Sequence, residues 1–117
     1  MIQLDMYDRN LSQNTVAKLL YQDGFTVVQI RDFFNWKQKN PHVYKEFERQ
    51  FLKRVNDGFT RIGAKDIWED MRKMKELKTK DELYNLDNRQ TSMCIAVMSY
   101  KWHEYAHLVE RRKKRAA

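Results

Sequence analysis

The middle of the chain carries a strict apolar repeat. Apolar side chains recur at four-residue intervals, at Val43, Phe47, Phe51 and Val55, and mostly polar or charged residues occupy the positions between them. Because side chains four residues apart share one face of an α-helix, this repeat predicts an amphipathic helix with a buried face. Asn40-Pro41 predicts where the helix begins, since proline is well tolerated in a first helical turn, and Gly58 predicts where it ends.

The scarcity of turn residues extends this prediction to the whole chain. Only three glycines and one proline occur in 117 residues, which leaves little turn chemistry for a barrel, a sandwich or a multi-stranded sheet. We therefore expect an all-α fold, in which a single domain (1–117) forms one small bundle of five to six helices. The predicted helices lie at 14–23, from 26 onward, from 41 to Gly58, and at 64–77, 88–101 and 103–112. A strand is the alternative for 26–28 and for 91–98.

Residues 14–57 carry a helix–turn–helix pattern. A predicted helix over 14–23 stops at Gly24, and Thr26 to Gln29 matches a capping box, in which a hydroxyl and an amide satisfy backbone donors reciprocally. The apolar face expected for the second helix consists of Val27, Ile30, Phe33 and Phe34. This order resembles the first two helices of trihelical helix–turn–helix domains, with the helix from Pro41 as the third. An exposed basic third helix would enter a major groove; the alternative is that the three helices only pack together as a core.

Positive charge is concentrated at the C-terminal end. Lys and Arg number 23 against 16 Asp and Glu, a net charge of +7, and five of the basic residues lie in a row in the basic tail, 111–117. The rest of the chain holds 18 basic against 16 acidic residues, a net charge of +2. Clustered cations attract phosphates through counterion release. We therefore predict nucleic-acid contacts at Arg31, Lys37, Lys39, Lys45, Arg49, Lys53, Arg111, Arg112, Lys113, Lys114 and Arg115.

Two acids complicate the predicted contact helix. Glu46 and Glu48 lie among its basic residues and are expected to repel phosphates. The alternative interpretation of the basic residues between 37 and 54, which include Arg54, is the solvated face of an amphipathic helix. The corresponding alternative for the tail is a solvated terminus.

One motif in the C-terminal helices (64–110) is typical of an enzyme. Residues 103–107 spell H-E-x-x-H, the zinc-peptidase signature in which two histidines share a helix face and the glutamate activates a water. Only ten residues follow His107, and Glu110 is the sole carboxylate among them, one turn away and badly placed as a third ligand. We interpret the motif as accidental and expect a non-enzymatic protein with no catalytic residue and no metal.

No cofactor is expected either, because the three glycines are too scattered for a Walker A loop or a dinucleotide turn. The single cysteine, Cys94, lies in an apolar segment, so we expect it to be a buried small hydrophobe, which fits a reducing cytoplasm. The first ten residues lack the basic and then apolar order of a secretory signal. No apolar run approaches the about 20 residues that span a bilayer. We therefore expect a cytoplasmic protein without a membrane partner.

Four blocks from Asn40 onward carry a resemblance to a known group of sequences: NPHVYKEFERQF, GAKDIWEDMR, YNLDNRQTS and HEYAHLVERR. They resemble a family of short helical proteins encoded by phages and prophages, which share the patterns N-P-x-V-Y-x-x-F-E-R and G-A-K-x-I-x-E-x-x-R. The match covers residues 40–112. It departs at Trp102-His103, where relatives usually have His-Pro. The resemblance implies a phage origin and hence a bacterial host cell, and it brings no established activity.

These observations lead to one expected function and two alternatives. We expect a phage-encoded accessory or regulatory protein that binds nucleic acid, with duplex DNA as the partner. The first alternative is a protein–protein inhibitor or modulator of a bacterial host or defence system, similar to an anti-CRISPR protein, and the second is the zinc peptidase. A homodimer is a further expectation because symmetric DNA readers pair half-sites, although no heptad seam points to one.

Overall fold

The computed structural model describes residues 11–74 and 88–110, and over these ranges the chain is a small all-α bundle, as predicted. The elements in chain order are α1 (Gln13–Gln22), α2 (Val27–Lys39), α3 (Pro41–Asn56), β1 (Ile62–Gly63), α4 (Ala64–Arg72), α5 (Asn88–Lys101), a 3-10 helix (His103–Leu108) and β2 (Val109–Glu110). None of the helices within these ranges combines the length and the apolar character needed to cross a membrane.

The helix α5 lies at the centre of the bundle and contacts each of the other four α-helices as well as the 3-10 helix. Six consecutive residues, from Met93 to Met98, are therefore buried. A helix that is covered on all sides is apolar all round and shows no helical period. This explains why 91–98 also fitted a short buried strand by its sequence, although it is helical.

The three N-terminal helices form as their local signals predict. The Ser12 hydroxyl accepts a hydrogen bond from the Thr15 amide at 3.1 Å and caps α1. Gly24 ends the turn that follows with φ of 100°, a left-handed conformation that glycine adopts without strain. The capping box is present, because Thr26 accepts from the Gln29 amide at 3.1 Å and its own amide donates to the Gln29 side chain at 2.8 Å. The predicted order of a helix, a glycine turn and a capped second helix is thus present.

The prediction that Val27 belongs to the apolar face of α2 is wrong. Val27 is 69% exposed, whereas Ile30 and Phe33 of the same helix are buried. The physical reason lies one residue before the helix cap, at Phe25, which is buried and occupies the N′ position opposite Ile30 at N4. This is the arrangement of a hydrophobic staple. Phe25 covers the core at this end, so Val27 faces solvent.

The C-terminal part differs from the predicted helices in two places. The helix α4 ends at Arg72, with Lys73 as its cap, rather than at Leu77. The segment 103–112 is a 3-10 helix up to Leu108 followed by β2, which pairs in parallel with β1 through Ile62 opposite Val109 and Gly63 opposite Glu110. No local sequence pattern predicts a pairing between residues so far apart in the chain. The predicted polar connection at 78–87 lies outside the described residues.

Candidate nucleic-acid interface

The helix α3 presents an apolar face to the core and a basic face to solvent. Val43, Phe47 and Phe51 are completely buried. On the opposite side Lys45, Arg49 and Lys53 follow one another at four-residue spacing, and all three are exposed. We call these three residues the α3 stripe. Side chains at this spacing form a row along the helix axis, so the structure brings three of the predicted contact residues together.

Two of the three cations in the α3 stripe are paired with acids on the same helix or at its end. Arg49 donates two hydrogen bonds to Glu46, from Nε at 2.9 Å and from Nη2 at 2.6 Å. The Lys53 ammonium lies 3.2 Å from the Asp57 carboxylate. Lys45 has no ion pair within the described residues. The Lys53–Asp57 pair is exposed on both sides, and such pairs contribute only about 0–1 kcal/mol, so an incoming phosphate can displace it at little cost. In the other pair Arg49 is exposed, whereas Glu46 is only 12% exposed.

The two acids of α3 take different positions, and the expected repulsion changes accordingly. The hydrogen bonds from Arg49 hold the pKa of Glu46 below its ordinary value, so this carboxylate stays charged beside the stripe. Glu48 instead turns toward the end of α5. It accepts the indole N–H of Trp102 at 2.8 Å and lies 2.8 Å from the Lys101 ammonium. Glu48 therefore ties α3 to α5 and does not face a phosphate bound along the stripe.

Lys37 lies apart from the α3 stripe, against an aromatic ring. Its ammonium is 4.4 Å from the centre of the Tyr44 ring, and the side chain is half-buried. Burial and the positive charge of Lys101 lower the pKa of Lys37. The interaction with Tyr44 is a cation–π contact at the junction of α2 and α3. In this position Lys37 contributes to packing between the two helices.

The other two predicted contacts of α2 are exposed but separate. Arg31 lies 3.4 Å from the neighbouring Asp32 carboxylate, one turn into the helix. Lys39 is the last residue of α2 and has no ion pair within the part of the chain that the structure describes. Only Asn40 separates it from α3, so Lys39 and Lys45 flank the start of that helix.

Arg54 is basic but does not belong to the exposed surface. Its guanidinium is buried, donates to Asp70 of α4 and to the Gln50 side chain at 3.1 Å, and lies over the Phe59 ring at 5.6 Å. The burial of Arg54 could have been predicted from the sequence, because Arg54 follows the buried Phe47 by seven residues and residues at this spacing share a helix face. Arg54 joins α3 to α4 and offers nothing to a ligand.

The basic tail residues Arg111 to Arg115 lie outside the described residues. Their point of attachment is fixed, because Glu110 pairs with Gly63 in the small parallel sheet and its carboxylate lies 2.5 Å from the Arg61 guanidinium. The strand β1 follows α3 after the turn at Gly58. Glu110, the last described residue before the tail, thus lies beside the segment that follows the C-terminal end of α3.

The H-E-x-x-H motif adopts a geometry that differs from the one its signature needs. His103 and His107 lie in a 3-10 helix, which has 3.0 residues per turn. Residues four apart then point about 120° away from each other instead of sharing a face. Both histidines are exposed, and no group of three His, Cys, Asp or Glu side chains suited to a metal ion occurs in residues 11–74 and 88–110.

Cys94 is completely buried in α5, and burial raises the pKa of its thiol. The thiol is therefore neutral at physiological pH and packs as a small apolar group.

No family model, curated protein or solved structure matches this chain.

Proposed function

We propose that this chain is a phage-encoded accessory protein that binds duplex DNA through α3 and the basic tail. The observation that carries the proposal is the α3 stripe. Its three cations are exposed in a row on a helix whose other face forms the core. The resemblance of residues 40–112 to phage and prophage proteins supports the proposed origin.

A helix with one exposed basic face suits the major groove, which is about 12 Å wide and admits an α-helix. Lys45 meets a phosphate directly, because it has no ion pair to break within the described residues. Arg49 and Lys53 exchange Glu46 and Asp57 for phosphates. The Asp57 carboxylate that Lys53 leaves is exposed, and Glu46 keeps the hydrogen bond from the Gln50 side chain. Glu48 does not oppose the approach, since it is engaged by Lys101 and Trp102.

The tail adds affinity that does not depend on the base sequence of the DNA. Its five cations neutralise phosphates through counterion release, wherever they meet the backbone. Because Glu110 pairs with Gly63 in β1, which follows α3, we expect the tail to contact phosphates near those that the C-terminal end of α3 contacts. Lys39, next to the start of α3, lies where it extends the contact at the other end.

Fluorescence anisotropy with a labelled 20-base-pair duplex tests this function. Contact of the three α3 stripe cations with phosphates predicts that affinity falls at least about 40-fold between about 50 and 200 mM salt, because each contact contributes about 0.9 to the logarithmic slope, and contacts of the tail make the fall steeper. A variant with residues 111–115 changed to glutamine keeps a smaller salt dependence that comes from α3. Absence of binding at about 50 mM salt, or an affinity that salt does not change, would contradict the proposal.

A further inference from the structure

Three large apolar side chains near the turn between α1 and α2 face solvent. Tyr21 is 63% exposed, Val27 69% and Val28 53%. Single exposed apolar residues are common on protein surfaces, but neighbouring ones around a concavity are typical of interaction sites. Tyrosine is also enriched at protein interfaces, because it combines a large apolar ring with a polar end.

Two of these side chains border a groove between α1 and α2 with a volume of about 310 Å³. Its lining consists of Ala17, Lys18, Tyr21, Gln22, Val27 and Ile30. This volume is at the lower limit of small-molecule sites and suits one or two apolar side chains of a peptide. The groove is mostly apolar, and Ile30 forms its buried part.

The walls of the groove are held in place before anything binds. The Gly24 turn joins α1 to α2, and the capping box of Thr26 and Gln29 fixes the first turn of α2, where Val27 lies. The Tyr100 hydroxyl lies within hydrogen-bond distance of the Asp23 carboxylate and of the Leu19 carbonyl oxygen, which ties the end of α1 to α5. A preformed groove binds without the cost of ordering its own residues.

The charge at the groove is positive. Lys18 is the one charged side chain in the lining, and it is exposed without an ion pair within the described residues. Of the described acids near the groove, neither Asp23 nor Asp32 lines it: Asp23 accepts a hydrogen bond from Tyr100, and Asp32 lies beside Arg31. A carboxylate on the occupant would therefore find a complementary charge at Lys18.

A second copy of this chain is a poor occupant. Two copies related by a twofold axis through the groove would bring two Lys18 ammonium groups into an interface whose lining contains no acid. Like charges at an interface are unfavourable. An amphipathic helix with acidic residues beside its apolar face avoids this repulsion.

We infer that the groove between α1 and α2 docks an acidic amphipathic helix of a partner protein. One apolar side chain of the partner enters between Tyr21 and Val27 and covers Ile30, and a carboxylate of the partner pairs with Lys18. This is the helix-in-groove mode of recognition. The groove shares no residue with the α3 stripe, so the partner and the duplex occupy different surfaces of the same molecule.

Two synthetic helical peptides of about 14 residues test this inference on the full chain. Both carry leucine at positions i, i+3, i+4 and i+7, and they differ only in having glutamate or lysine beside the leucines. Amide chemical shifts report the binding site. The glutamate peptide is expected to cause saturable shifts at residues 17–22 and 27–30 and to bind at least about threefold tighter than the lysine peptide.

Variants of the groove give the decisive comparison. Val27→Asp lowers the affinity for the glutamate peptide by at least about tenfold, and Lys18→Glu reverses the preference between the peptides. Both positions are exposed, and Val27 lies in the first turn of α2, where an acid is favourable, so we expect both variants to keep the fold. The matched control is Asn35→Asp, which adds the same charge to α2 away from the groove and leaves peptide affinity unchanged.

Equal affinity for the two peptides, shifts that map elsewhere, no saturable shifts, or insensitivity to Val27→Asp would each overturn the inference. A concentration-dependent dimer in sedimentation analysis that Val27→Asp abolishes would assign the groove to a second copy and overturn the proposed partner. Duplex affinity is measured on a further groove variant, Val27→Ser, which adds no charge. Val27→Ser is expected to leave it within about twofold, because the two surfaces share no residue, so failure of the groove is distinct from failure of DNA binding.

Discussion

At the scale of single residues, two basic side chains of the same helix have different roles, one on the surface and one in the core. Lys45 and Arg54 both belong to α3, yet Lys45 is exposed without an ion pair within the described residues, whereas Arg54 is buried and bonded to Asp70 and Gln50. Counting basic residues along the sequence treats them alike. The buried face of the helix distinguishes them, since Arg54 follows Phe47 by seven residues.

Replacing these two residues should therefore affect different properties. Arg54→Ala removes charged hydrogen bonds and leaves space beside Phe59, so we expect the free energy of unfolding to fall by about 1–3 kcal/mol. Lys45→Ala lies on the surface and should change it by less than about 0.5 kcal/mol. Urea denaturation of both variants measures the difference. Equal losses of stability would show that Arg54 is not the link between α3 and α4 that its contacts indicate.

The carboxylate of Glu46 predicts a pH dependence. Its pKa is lower in the folded protein than its ordinary value, chiefly because Arg49 donates to it, so the folded state favours the charged form. This contribution is present above the ordinary pKa of glutamate and disappears as the pH falls through the lowered pKa. We expect Glu46→Gln to lose about 0.5 kcal/mol at pH 7 and to match the original chain near pH 2.5.

Denaturant titrations at the two pH values test this sign. A difference between Glu46→Gln and the original chain that persists or grows at the acidic pH would contradict it. Glu69→Gln is a suitable control, because Glu69 is an exposed glutamate of α4.

At the scale of elements, the helices with a one-sided apolar pattern could be predicted from the sequence, and the others only in part. The repeat from Val43 onward and the capping box at Thr26 place α2 and α3 within a residue or two. The central helix α5 is apolar on all sides, so its sequence does not separate helix from strand. The pairing of β1 with β2 depends on residues 47 positions apart and has no local signal.

The capping box gives an element-scale prediction. Thr26→Ala removes the hydroxyl that accepts from the Gln29 amide, and we expect a loss of about 1 kcal/mol in the free energy of unfolding. Thr26→Ser keeps the hydroxyl and should retain most of the stability. Thermal unfolding followed by circular dichroism compares the two variants. If serine and alanine destabilise equally, the cap does not stabilise α2.

The candidate sites were less predictable than the helices, for reasons that belong to tertiary structure. Lys37 and Lys45 carry the same charge in the sequence, but the ring of Tyr44 lies only beside Lys37. Val27 fits the apolar period of α2, yet Phe25 covers the core in its place. Val27 is thus exposed and lines the groove between α1 and α2. The local sequence pattern does not show which of two neighbouring apolar residues will be buried in the folded protein.

At the scale of the whole molecule, the structure separates two kinds of surface on one small bundle. The α3 stripe is basic, and the groove between α1 and α2 is apolar with one lysine at its edge. A protein that held a duplex on the first and an acidic helix on the second would bring a partner to DNA. This arrangement fits an accessory protein, and it joins the proposed function to the inferred docking site without requiring either surface to serve both.

The salt dependence of duplex binding in stripe variants tests the central claim most directly. Lys45→Ala should weaken binding to all duplexes alike and reduce the logarithmic salt slope by about 1, and the combined replacement of Lys45, Arg49 and Lys53 should reduce it by up to about 3. Lys65→Ala, which removes an exposed lysine of α4, is the control and should keep the original slope. If the stripe variants also keep the original slope, α3 does not contact the phosphates and the account of the interface is wrong.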